Sequence, residues 1–89
     1  MKAVITVMGM DCVGVIAKIS NLCSQMNINI EHVTQSIMQD MFCMIMLVNL
    51  SKCSVSQEKV REAFAQAGQE LKMQVTFTRQ EVFSAMHEI

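Results

Sequence analysis

The sequence predicts an α+β fold of the ferredoxin-like kind, βαββαβ, in which two helices cover one face of a four-stranded antiparallel sheet ordered 4-1-3-2. A short C-terminal helix follows. Three observations carry this. Apolar residues alternate in four segments and recur at helical spacing in two others, in the order strand, helix, strand, strand, helix, strand. The first and third strands are the most apolar, as the central strands of that topology must be, whereas the second and fourth have the polarity of edges. The length of 89 residues, 52% of them apolar, suffices for a single domain, with a core over 1–79 and the closing helix over about 80–89.

Lys2 to Met8 reads as the first strand, with Ala3, Ile5 and Val7 on one face and Val4, Thr6 and Met8 on the other. The segment from Gly9 to Gly14 then turns the chain, and Asp11 stands where a helix N-cap belongs. Cys12, Ile16, Ile19, Cys23 and Met26 recur at four-three-four-three spacing, opposite Lys18, Asn21, Ser24 and Gln25, and predict an amphipathic helix. Asn27 suits its stop, because asparagine tolerates the left-handed conformation. The second strand, about Ile28 to Gln39, changes phase between Ile28/Ile30 and Val33/Ile37, which predicts an edge strand with a bulge. Gln39-Asp40 makes a tight reversal into Met41 to Leu50. That third strand is apolar on both faces, so it belongs mid-sheet with both faces buried. Ser54-Val55-Ser56-Gln57 resembles a capping box, followed by the stripe Val60, Phe64 and Ala67, with Gly68 as the stop. Leu71, Met73, Val75 and Phe77 alternate with polar residues as the second edge, and Val82, Phe83, Met86 and Ile89 return to helical spacing.

The formal charge of −1 gives no electrostatic footprint for nucleic acid or an anionic membrane. The longest apolar run, Met41 to Val48, is far short of the ~20 residues that span a bilayer, and residues 1–9 do not read as a secretory signal. A cytoplasmic location is expected. Cys12, Cys23, Cys43 and Cys53 show no C-x-x-C spacing, so free thiols are expected, with neither a metal nor a redox motif. His32 and His87 lack ligand spacing. The third strand has one aromatic residue and no charge, which excludes the usual RNA platform of this topology. Of the methionines, Met38, Met41, Met44 and Met46 read as core filling.

The turn from Gly9 to Gly14 is the candidate site. A helix start directs backbone N–H groups and the positive end of its dipole at a bound anion, so N–H groups around Cys12, Val13 and Gly14 would bind a carboxylate. An oxygen of Asp11 or Asn29 would accept from an ammonium. No catalytic constellation is visible and no cofactor is implied; Cys12 reads as an inert thiol beside the Asp11 carboxylate. Size adds one further expectation. A domain this small buries only roughly 60–65% of its surface. Two helices cannot cover a strand apolar on both sides, so a second subunit is expected on the uncovered face or along a sheet edge.

The turn Gly9-x-Asp11-x-x-Gly14-Val15, with Asn27-Ile28-Asn29-Ile30 opening the second strand, resembles an ACT domain over residues 1–79. The segment Val82-Phe83-Ser84-Ala85-Met86 resembles the C-terminal helix of small stand-alone ACT proteins of bacteria and archaea, some of them similar to glycine cleavage system regulators. That resemblance implies a non-enzymatic regulatory homodimer with an amino acid bound between subunits, and a regulated target in a separate protein. By position it implies Asp11, Cys12, Val13 and Gly14 from one subunit, and Asn29 and Ile30 from its neighbour. Cys12 and Val13 depart from the family's usual residues there. The alternative is a protein–protein interaction module whose turn is purely structural.

Overall fold

Alternating apolar residues in the sequence become the two faces of one sheet. The computed structural model describes residues 1–10 and 14–82. Its elements are β1 (Lys2–Met10), α1 (Val15–Gln25), β2 (Asn29–Met38), β3 (Met41–Asn49), α2 (Gln57–Leu71) and β4 (Gln74–Arg79). All neighbouring strands are antiparallel, in the order β2-β3-β1-β4, which is the expected order seen from the other edge. A helix opens at Gln80 and is described as far as Val82; the rest of the expected closing helix, Phe83 to Ile89, lies outside the described residues.

Ala3, Ile5 and Val7 of β1 pair with Val48, Met46 and Met44 of β3, and all six are buried beneath the helices. Val60, Phe64 and Ala67 of α2 and Val15, Ile19 and Cys23 of α1 close this core. Burying an aliphatic or aromatic side chain of this size contributes about 1.5–3 kcal/mol, so this one layer supplies most of the driving force. The phase of α1 differs from the expected stripe: Val15 is buried and Ile16 is 43% exposed. The cause lies at the helix start. The N-cap is Gly14, at φ 90°, and not Asp11; the left-handed glycine turns the chain without a side-chain cap and sets Val15, Ile19, Cys23 and Met26 inward.

Asn27 ends α1 as expected, with φ 57°. Ile28 N–H donates to Cys23 O (2.8 Å) and Asn27 N–H to Ser24 O (3.2 Å), the paired bonds that satisfy the last carbonyls of a helix. The expected bulge in β2 falls at Glu31, where pairing passes from Ile30↔Val48 to His32↔Leu47. Its carboxylate is held by Lys2 Nζ (3.0 Å) and Asn49 Nδ2 (3.2 Å), hydrogen bonds that lower its pKa. Gln39, at φ 56°, and Asp40 form the reversal into β3.

Three local expectations are corrected. Gly9 does not bend the chain, because β1 continues through it to Met10; a Cβ there would stand 2.9 Å from Met73 Cγ, so glycine is required by close packing. Ser56, not Ser54, caps α2, its hydroxyl accepting from Lys59 N–H at 3.3 Å. Gly68 does not stop α2, which runs on to Leu71 and ends with Lys72 at φ 57°. A Cβ at Gly68 would meet Met73 O at 2.8 Å, so this glycine lets β4 approach the helix.

β3 is central, as its composition requires, but only one of its faces is buried. Phe42, Met44, Met46 and Val48 are covered, whereas Met41 and Ile45 are exposed and Cys43 and Leu47 half-buried. The expected methionine group therefore splits by strand parity. Met44 and Met46 are core; Met38 and Met41 stand on the open face.

Candidate ligand site

Backbone geometry at the start of α1 creates the first half of the candidate site. Lys18 N–H donates the first helical bond to Gly14 O (2.9 Å), so the N–H groups of Val15, Ile16 and Ala17 have no partner within the helix. These three residues and Gly14 line an open groove of about 500 Å³ whose other side, its floor, is formed by Gln35 and Ile37 of β2 and by Phe42 of β3. Asp11, Cys12 and Val13 lie outside the described residues, so of the four expected residues at this turn Gly14 alone is placed. Sequence reasoning does not anticipate the floor. Its signal is the phase change in β2: beyond the bulge, Val33, Gln35 and Ile37 take the helix side, where α1 does not reach across to the sheet edge. Val33 is left 43% exposed and Ile37 57%.

Asn29 and Ile30 lie elsewhere. They border a cavity of about 770 Å³ at the other end of α1, together with Ser20, Ser24, Asn49 and Lys52. Asn27 Nδ2 donates to Lys52 O (2.8 Å) and Ser54 N–H to Met26 O (3.0 Å), which pin the loop after β3 against the end of α1. Asn29 pairs with Asn49, seven residues along β3 from Phe42. At about 3.3 Å per residue the two groups stand roughly 23 Å apart. Within one chain Gly14 is not brought together with Asn29 and Ile30.

The thiols differ in environment. Cys23, on the buried face of α1, is pushed up to about 11 by desolvation, so it stays protonated and unreactive at neutral pH. Arg61 lies over the Phe77 ring at 5.4 Å, a cation–π contact and not an anion site. Among the described residues no helix is long and apolar enough to cross a membrane.

The ACT domain model matches residues 2–78, and the chain belongs to the ACT domain family. A UPF0237 protein of Methanopyrus kandleri is 42% identical over 88 residues, covering 99% of this chain and 98% of that protein. An ACT domain protein from Streptococcus pneumoniae superposes with a TM-score of 0.81 at 29% identity, covering 93% of each chain. A structure assigned as a transcriptional repressor of the glycine cleavage system has the same fold, with a TM-score of 0.78 and 23% identity, over 89% of this chain and 45% of that one. ACT domains are regulatory small-molecule-binding modules.

Proposed function

We propose that this chain is a non-enzymatic cytoplasmic sensor that binds an amino acid at the interface of a homodimer formed along β2. The observation that supports the reading is that Gly14 lies beside one end of the edge strand β2 while Asn29 and Ile30 form its other end. If β2 of one subunit pairs antiparallel with β2 of a second across a two-fold axis, the Asn29–Ile30 end of each strand meets the Ile37–Met38 end of its partner. Gly14 and the start of α1 stand beside that end. The symmetric pairing also lets α1 and its counterpart cover Val33 and Ile37.

In this arrangement the amino-acid carboxylate binds the N–H groups of Val15, Ile16 and Ala17 at the start of α1, and Cys12, Val13 and Gly14 are proposed to contribute to the same site. Its ammonium donates to an oxygen of Asp11 or of Asn29 from the second subunit. Ile30 and Ile37 frame the side chain. Ligand bridging two subunits stabilises one dimer arrangement over others, and a separate regulated protein reads that shift.

The test combines mass measurement in solution with a thermal-shift panel of amino acids, read with an added dye because the chain has no Trp or Tyr. A dimer whose melting temperature rises with one class of amino acid, with amide shifts at residues 11–14 and 29–30, is the expected result. A panel that moves none of those amides overturns amino-acid sensing. Stoichiometric capture of one protein that no metabolite alters would instead support the interaction-module reading.

A further inference from the structure

The open face of the sheet carries a sulfur cluster that the ligand groove does not use. Strand register places Met38, Met41 and Met10 in one cross-strand row of β2, β3 and β1, and Ser36, Cys43 and Met8 in the next row. Five of these six adjoining positions on one face bear sulfur. Met38 is 73% exposed, Met10 70%, Met41 49% and Met8 43%, so the thioethers are accessible. Directly opposed residues in a sheet have Cβ atoms about 4.5–5.5 Å apart, and the unbranched methionine chain, with three rotatable bonds, lets neighbouring sulfurs converge.

We propose that this patch binds a soft monovalent metal ion, Cu(I), through the thioethers of Met10, Met38 and Met41 and the thiolate of Cys43, with Met8 closing the site. The donor set selects the metal. Thioether and thiolate are soft ligands that suit Cu(I), whereas zinc and harder ions need imidazole, carboxylate or several thiolates. Among the described residues no three His, Cys, Asp or Glu side chains are grouped to hold such an ion. Coordination by Cys43 displaces its thiol proton, so one Cu(I) binds with release of one proton and no change of oxidation state. An apolar docking surface needs no sulfur. Leucine or isoleucine would serve it equally, and Ile45 in the next row does.

The experiment is anaerobic titration of the full chain with Cu(I) against a chromophoric Cu(I) chelator, with Ag(I) as a redox-inert probe of the methionine methyl groups by NMR. One equivalent of Cu(I) is expected to leave the chelator, and the methyl signals of Met10, Met38 and Met41 move with Ag(I) while those of core Met44 and Met46 stay. The variant M10L/M38L/M41L keeps the apolar surface and all cysteines, and is expected to lose the site. Cys43→Ser is expected to abolish proton release while the methionine shifts persist. Unmoved patch methyls in the wild-type chain overturn the proposal, as does a triple variant that competes for Cu(I) as well as wild type. Neither outcome bears on amino-acid binding at the start of α1.

Discussion

The two faces of this sheet are made by the same strands from nearly the same residue types, yet one is the core and the other stands largely open. Met44 and Met41 lie three residues apart on β3; the first is 1% exposed and the second 49%. Composition does not separate them. Parity does, because β1, β3 and β4 turn alternate residues toward α1 and α2, and both crossover helices lie on that one side. The face a residue occupies, and not its hydrophobicity, decides what it contributes to stability.

The largest expected effect follows directly. Met44→Ala removes packing atoms from a filled core and should cost about 2–5 kcal/mol, whereas Met41→Ala should stay within about 0.5 kcal/mol. Urea unfolding of both variants at equal protein concentration measures the difference. A Met41→Ala loss approaching that of Met44→Ala would break the comparison, since it would mean that a second copy covers the open face in solution.

Much of this is legible in the sequence. Strand alternation and helix spacing fix the order, the sheet topology, the bulge of β2 and the left-handed Asn27, because each depends on residues close together in the chain. The glycines and caps are harder. Gly9 and Gly68 read as a bend and a stop, but both are required by Met73, whose approach is a tertiary event with no local signature. The phase of α1 is ambiguous in sequence because Cys12 and Ile16 fit the same period as the true stripe; what decides it is the left-handed Gly14, which delays the helix start to Val15. At the candidate site, local turn and strand chemistry points to Gly14, Asn29 and Ile30, which border two separate grooves. The groove floor of Gln35, Ile37 and Phe42 escapes a sequence reading, since it depends on how far α1 reaches over β2.

The second prediction sharpens the account of how the helix side is packed. Gly68→Ala gains helix propensity, yet its methyl meets a backbone carbonyl, Met73 O, at 2.8 Å; a net loss of about 1–3 kcal/mol is expected. Gly9→Ala also presses on Met73, chiefly on Cγ, the part of the side chain that can swing away, so its cost should be smaller. Thermal melts of the two variants, compared under one buffer, rank them. Equal costs would show that Met73 is held as rigidly through its side chain as through its backbone.

The smallest effect concerns the thiol on the closed, helix side of the sheet. Cys23 is buried on the helix side and its pKa is raised from 9.0 to about 11 by desolvation. Between those values the unfolded chain has lost this proton and the folded chain retains it, so folding binds a proton and stability falls as pH rises. From pH 9 to 10 the loss attributable to Cys23 is about 1 kcal/mol, since a tenfold change in proton activity is worth about 1.36 kcal/mol for each proton taken up. Below pH 9 its contribution is intact. Unfolding curves at pH 8, 9 and 10 for wild type and Cys23→Ala should diverge in slope, the variant losing less stability across that interval. A slope unchanged by Cys23→Ala would place the thiol within reach of water, and the helix side of the sheet would then be less closed than Val15, Ile19 and Phe64 make it.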